Sequence, residues 1–367
     1  MSSDDLTRSF ATSRDAGESR DAEPSPNRRI RLANGGAIVL ESDGFRLIAS
    51  RGMKRSRRHR YESMTHVSVT GRALLVATTS GLSLLRARDF PDPETGPEQA
   101  RQALLARLAA RPDGDYGLQQ IERLEALSRR KARDLATWAV VALCALASLA
   151  QISDPMVEKI GSFAPELFGR GEFWRAVTAH FLHGAPTVPI HLAVNVGGLL
   201  ALGHLVERPL GSLRTVVVLA LGALGTILGS LYYGYDDVIG SSGLVSALAG
   251  AILALELHYP ELVPAHWRLP RRLFIGALVM QFAVIDQIFS SFLAGGAHLG
   301  GFAGGYIAAW WLARTNPAEE GANTPLRLAA LAAILALALG ISTAVPLIRH
   351  DMGALERHAL RLLNTPP

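Results

Sequence analysis

The chain has 367 residues, of which 49% are hydrophobic and 19% charged, against roughly 25% charged in ordinary soluble domains. This excludes a disordered or fibrous protein, and the formal net charge of +5 is unevenly placed: residues 1–135 carry 24 Lys or Arg and 18 Asp or Glu, residues 136–367 only 13 and 14. The second segment is therefore either a very large buried core or a membrane domain, and the single thiol, Cys144, rules out an intramolecular disulfide framework or a multi-cysteine metal site.

Residues 1–27 are polar and acidic, lack the apolar core of a signal peptide and read as a disordered tail. From residue 28 short β-strands alternate with turn signals: RRIRL, the turn Asn34-Gly35-Gly36, AIVLES, Asp43-Gly44, FRLIAS, and then THVSVTGRALLVATTSGLSLLRARDF. Helical patterns follow, with apolar positions at Leu104, Leu105 and Leu108 and again at Ile121, Leu124 and Leu127. The expected layout is a β-rich cytoplasmic domain over 28–111 and a helical basic linker over 112–134. Several strands closed by one helix resembles the bacterial members of the pleckstrin-homology-like superfold, over about residues 28–111.

Within that domain the run from Arg51 to Arg60, RGMKRSRRHR, packs six Lys or Arg into ten positions. Two readings stand. One is a patch for anionic lipid headgroups, each cation near the surface contributing ~1 kcal/mol; the other is a solvated loop that supports cytoplasmic retention. The run lacks interleaved aromatics, so nucleic acid is not an expected partner.

Beyond residue 134, apolar runs that could cross ~30 Å of hydrocarbon as helices recur near 135–152, 189–206, 213–233, 241–258, 273–293, 297–313 and 326–347. The fourth and sixth are short and rich in Gly and Ala. Arg129, Arg130, Lys131, Arg133, Arg208, Arg214, Arg268, Arg271, Arg272, Arg314 and Arg327 fall on one side of this pattern, and only Lys159, Arg170 and Arg175 on the other. Because positive residues are held on the cytoplasmic side, the N-terminal domain is expected there, and the loops at 153–188 and 234–240 face outward. With seven spans the C-terminal tail, 348–367, also lies outside.

Polar groups inside hydrocarbon are costly and need a reason. Three such features stand at the outer ends of spans. His191 and Asn195 open the second span four residues apart, on one helical face. Gly240-Ser241-Ser242-Gly243 opens the fourth, where free backbone N–H groups favour negative charge. Ala297-His298 followed by Gly301 and Gly305 opens the sixth. Small residues at Gly243/Ala247 and Gly301/Gly305 allow these two helices to approach closely, bringing a serine to His298. A serine paired with a histidine is the minimum unit of nucleophilic catalysis, and the Asn195 amide, His191 and the Ser242 backbone N–H are suitable donors for an oxyanion. The residues alone do not choose between Ser241 and Ser242 as nucleophile, and a serine at the position of Ser242, taken alone, is more often a helix N-cap than a nucleophile.

These motifs, in this order, resemble the rhomboid intramembrane serine proteases over about residues 135–313. The match comprises Trp174-Arg175, His191-x-x-x-Asn195, Glu207-Arg208 with Gly211, Gly240-x-Ser242-Gly243, and Ala297-His298-x-x-Gly301-x-x-x-Gly305. The resemblance implies an all-α polytopic membrane protein with six core helices plus a seventh at 326–347, joined to the small N-terminal α+β or β-rich domain. It implies Ser242 as nucleophile, His298 as base, and oxyanion binding by His191, Asn195 and the Ser242 amide. Glu207 and Arg208 would organise the inner end of the second span. The implied partners are transmembrane protein substrates and the lipid bilayer, with no cofactor, and the implied location is a bacterial inner membrane. Where the family often places an aromatic residue against the catalytic imidazole this chain has Ser246, which leaves the support of His298 open. The loop GAPTVPI, residues 184–190, is longer and richer in proline than in bacterial relatives.

Other polar residues have plainer readings. His180, His183 and His191 lack metalloprotease spacing, so no metal is expected, and His180 and His183 would line a polar loop. Asp286, in the outer third of the fifth span, either faces a water-filled cavity beside the site or bonds a neighbouring helix. His204 is expected to be satisfied by a neighbouring helix, and Trp310-Trp311 to anchor at the interface. The rival functions are a catalytically silent relative that binds membrane clients, and a transporter; the latter predicts inverted repeats, which the sequence does not show.

Overall fold

The computed structural model describes residues 28–48, 56–70, 73–129, 134–184, 189–264, 267–290 and 293–314. The expected tails, the first half of the basic run, most of the loop at 184–190 and the expected seventh span at 326–347 lie outside these residues. The chain divides into two compact units, Met1–Ile121 and Glu122–Pro367.

In the first unit β1 (Arg28–Arg31), β2 (Ala37–Leu40), β3 (Gly44–Ile48) and β4 (Arg57–Arg60) form an antiparallel sheet in that order. A second sheet joins β5 (Met64–Thr70), β6 (Ala73–Thr78) and β7 (Gly81–Arg86). Leu74 and Val76, two apart on β6, meet Ile38, Leu40, Phe45 and Val67 in the core, as period-two patterning requires. Helix α1 (Gly96–Ala109) closes it with Ala100, Leu104 and Leu108, spaced four apart on one face. Helix α2 (Gly114–Arg129) adds Ile121, so the helix expected as a linker starts inside this core.

The described half of the basic run is not a loop. Residues 57–60 form edge strand β4, paired with β3 through Arg60↔Gly44 and Arg58↔Arg46. Glu41 and Asp43, at the β2–β3 turn, hold Arg58 at 2.8 and 2.6 Å, so this guanidinium is committed to carboxylates rather than left free. A charged edge strand also resists pairing with other chains.

The second unit opens with α3 (Leu135–Ser153). Three short helices follow, α4 (Met156–Gly161), α5 (Pro165–Gly169) and α6 (Arg175–Thr178), and then α7 (Ile190–Leu210), α8 (Ser212–Tyr233) and α9 (Ser242–His258). Among the described residues α3, α7 and α8 are long and apolar enough to cross a membrane, and α9 is a shorter apolar helix. The expected fifth span is not one continuous α-helix: α10 (Arg271–Val279) runs into a π-helical stretch at Met280–Ile285 and a single turn, α11 (Asp286–Ile288). Helix α12 (Gly295–Leu312) completes the described chain.

Backbone-to-backbone packing explains the glycine content of these helices. A Cβ at Gly225, Gly300 or Gly304 would strike a carbonyl of the facing helix in the α8–α12 pair, and one at Gly301 or Gly305 would strike the Gly243 or Ala247 carbonyl of α9. Without side chains between them the axes come closer than bulkier residues would permit.

Three polar contacts secure α7 to its neighbours. The Glu207 carboxylate near the end of α7 accepts from the Ala136 and Thr137 N–H groups at 2.8 and 2.9 Å and from the Thr137 hydroxyl at 2.8 Å. It thereby satisfies donors that the start of α3 leaves unpaired. Arg208 lies 4.8 Å above the Trp267 ring, and Gly211, at φ +84°, turns the chain directly into α8. His204 bonds Asp134 at 2.8 Å, so a group at the start of α3 satisfies it.

Candidate active site

The loop between α3 and α7 is folded on itself by Trp174 and Arg175. The Trp174 indole donates to the Ile160 carbonyl at 3.2 Å, and the buried Arg175 guanidinium donates to the Lys159 and Ser162 carbonyls at 2.8 Å each and to Glu172 at 2.6 Å. A two-residue bridge, Phe163 with Val238, ties this loop to the segment ahead of α9. The Gly240 N–H then donates to the Ala179 carbonyl at 2.9 Å. Thus this loop sets where the chain enters α9.

That entry needs glycine. Gly240 has φ +112°, and a Cβ there would press into the His191 imidazole, with the Asn195 amide beyond it. The turn brings the two positions on one face of α7 against the start of α9, as the four-residue spacing requires. Asn195 is buried, and its Nδ2 has no hydrogen-bond partner among the described residues.

Ser242 is the first residue of α9 and meets His298 on α12, Oγ to Nε2, at 2.8 Å. The other ring nitrogen of His298, Nδ1, lies 3.0 Å from Asp286 Oδ1. Asp286 therefore bonds a neighbouring helix, the second of its two expected settings. Ser246 is buried within α9.

Ser241 has a histidine of its own. It is fully buried, and its hydroxyl donates to His183 Nε2 at 3.2 Å. The assignment of donor follows from the far side of the ring, where His183 Nδ1 donates to the Phe181 carbonyl at 3.0 Å. Burial pushes the His180 and His183 imidazoles down to about 4, so both are neutral near pH 7. The His183 N–H donates to Gln151 of α3 at 3.1 Å, and its carbonyl accepts from His191 Nδ1 at 3.1 Å. His180 and His183 are thus buried parts of the scaffold behind the site rather than the lining of a polar loop. The Nδ1–H of a neutral His191 is committed, leaving Nε2 without a proton.

The two adjacent serines are therefore not equivalent. Ser241 is locked into a structural contact with a neutral histidine, and Ser242 faces an imidazole whose second nitrogen is held by a carboxylate. Gly301 and Gly305 set the α9–α12 spacing that allows this contact, and Gly243 lets α9 lie against Thr226 of α8. Nothing in the sequence pairs Asp286 with His298 or Ser241 with His183. The only signal for the first was a carboxylate inside an apolar span, which names no partner.

Residues 170–315 match the family model for the Rhomboid domain. The chain is 30% identical over 187 residues to Rhomboid protease GluP of Bacillus subtilis (strain 168), covering 49% of this chain and 33% of that protein. It is 27% identical over 161 residues to RHOMBOID-like protein 5 of Arabidopsis thaliana, covering 42% and 49%. It is 32% identical over 104 residues to RHOMBOID-like protein 6, mitochondrial, of the same plant, covering 28% and 33%. The chain thus spans between a third and a half of the length of these relatives.

Proposed function

As the chain is a member of the rhomboid family through residues 170–315, and an integral membrane protein, we propose that it is an intramembrane serine endopeptidase. Its substrates on this reading are other membrane proteins, cut in or beside a transmembrane segment. The observation that carries the reading is the 2.8 Å contact between Ser242 Oγ and His298 Nε2, at the start of a helix whose entry at Gly240 faces Asn195, whose Nδ2 has no partner among the described residues.

Ser242 Oγ attacks the substrate carbonyl carbon as its proton passes to His298 Nε2. The oxygen that becomes negative is held by Asn195 Nδ2 and by the Ser242 backbone N–H, one of the donors that the first turn of a helix leaves without an intrahelical partner. With Nδ1–H engaged by the His183 carbonyl, His191 Nε2 is a further donor only when the ring is doubly protonated. The tetrahedral intermediate collapses as His298 returns the proton to the leaving amine, giving an acyl-enzyme on Ser242. Water then attacks the ester, His298 again takes and returns a proton, and Ser242 is released.

The family implies six core helices plus a seventh at 326–347, the site on the outer half of a bacterial inner membrane and the N-terminal domain in the cytoplasm, in line with the distribution of Lys and Arg. Two antiparallel sheets closed by α1 support a pleckstrin-homology-like reading of that domain, and Arg57 and Arg60, exposed on β4, remain for anionic headgroups. Cleavage of a model single-span substrate in detergent tests the main reading. Wild type and Ser241→Ala are expected to cut and Ser242→Ala to be inactive; retained cleavage by Ser242→Ala would refute the assignment.

A further inference from the structure

We propose that Asp286 is a positioning residue for His298, so that this chain works with a Ser242–His298–Asp286 triad rather than with the serine and histidine alone. The inference rests on the proteolytic reading above and concerns how its general base is held.

Three observations carry it. Asp286 and His298 are both buried, at 2% and 5% exposure, and their contact of Oδ1 with Nδ1 at 3.0 Å is directed. A carboxylate oxygen only accepts, so the proton on a neutral His298 sits on Nδ1 and Nε2 is left to accept from Ser242. That is the tautomer a general base needs.

The backbone around Asp286 is also specialised. The preceding six residues, Met280–Ile285, are π-helical, and the Asp286 N–H bonds the Gln281 carbonyl five residues back. A π-helical stretch inside an α-helix is rare and frequent at functional sites. Here it stacks residues five apart, and Gln281 Nε2 donates to Asp286 Oδ1 at 2.9 Å. The carboxylate is thereby aimed from its own helix. Gly295, at the start of α12, leaves room for it: a Cβ there would crowd the Asp286 side chain.

Finally, Asp286 Oδ2 is buried without a hydrogen-bond partner among the described residues. A buried carboxylate satisfied on one oxygen only is poorly placed in the resting state. When His298 takes the Ser242 proton, an imidazolium forms 3.0 Å from it, and the attraction is greatest at that moment. An interaction that strengthens as charge develops accelerates the reaction instead of merely holding the fold. Asp286 also meets the need left by Ser246, since it supplies the imidazole with a polar anchor where the family often has an aromatic one.

The test uses full-length protein in detergent and a model single-span substrate. Asp286→Asn keeps the shape but presents an amide that can donate to Nδ1 and stabilise the wrong tautomer. We expect kcat to fall by at least 100-fold, in the direction of the ~10⁴-fold loss seen for the equivalent change in the Ser-His-Asp template. KM should stay within about twofold, and Ser242→Ala/Asp286→Asn should unfold at the same temperature as Ser242→Ala. A kcat within about threefold of wild type overturns the proposal, as does a lower unfolding temperature with a raised KM and unchanged kcat. A second measurement needs no Asp286 variant: ¹⁵N NMR of histidine-labelled protein, with the His298 signal assigned by its loss in His298→Gln. Protonation at Nδ1 supports the triad, and protonation at Nε2 overturns it. Cleavage by Ser242→Ala would instead remove the proteolytic reading, so the two failures are distinguishable.

Discussion

Asn195→Ala separates the two things a buried amide can do. Asn195 is 3% exposed, and its Nδ2 finds no partner among the described residues, while the neighbouring His191 ring is tied to the His183 carbonyl. An unpaired buried donor costs ~1–3 kcal/mol, so its removal offsets most of the small cavity left by truncation. We expect the unfolding free energy to change by less than about 1 kcal/mol. On the proteolytic reading proposed above, the same donor meets a full negative charge in the transition state, and loss of one such donor costs ~2.7–4 kcal/mol, or about 10²–10³ in kcat. Asn195→Ala should therefore be as stable as wild type and roughly 100-fold to 1,000-fold slower, with KM little changed because the interaction is absent in the ground state. His191→Ala should lose less, since Nδ1–H is committed to the His183 carbonyl and Nε2 can donate only when the ring is doubly protonated. The assays are steady-state cleavage of a single-span substrate in detergent and thermal unfolding of the same preparations. A kcat for Asn195→Ala within about threefold of wild type, or a loss of activity matched by a loss of stability, would refute the reasoning.

Two further substitutions test the framework. Gly305→Val places side-chain atoms where the Ala247 carbonyl sits; overpacking of this kind costs ~1–3 kcal/mol, and a displacement of about 1 Å between α9 and α12 is expected to slow cleavage about 100-fold. Wild-type stability and rate together would show that the helices do not depend on that contact. Glu207→Ala leaves the Ala136 and Thr137 N–H groups and the Thr137 hydroxyl without their acceptor. At ~1–3 kcal/mol per orphaned donor, partly relieved by water, it should destabilise the second unit by about 3–5 kcal/mol in thermal unfolding. A change below about 1 kcal/mol would mean that Glu207 does not hold the start of α3.

The chain alone was enough for anything that depends on local spacing or on composition. Scarcity of charge beyond residue 135 isolates the few polar residues of the apolar half, because hydrocarbon tolerates them only for a reason. Four-residue spacing places His191 with Asn195, and Gly243/Ala247 opposite Gly301/Gly305, on single helical faces. Strand patterning outlined the N-terminal sheets. It does not mark β4, because Arg57–Arg60 lacks the apolar alternation of a strand; the partners that make it one, β3 and the Glu41 and Asp43 carboxylates, lie ten or more residues away.

Only tertiary structure decided how adjacent or isolated polar groups pair. Ser241 and Ser242 are indistinguishable by spacing, yet consecutive residues at a helix start point in different directions, and one meets His183 while the other meets His298. Asp286 and His298 are 12 residues apart on separate helices, and the π-helical stretch that aims the carboxylate is invisible to a 3.6-residue reading. A sequence specifies which side chains a helix presents on each face. Which polar atom completes another depends on how closely the helices approach, and that is set jointly by glycines on three helices.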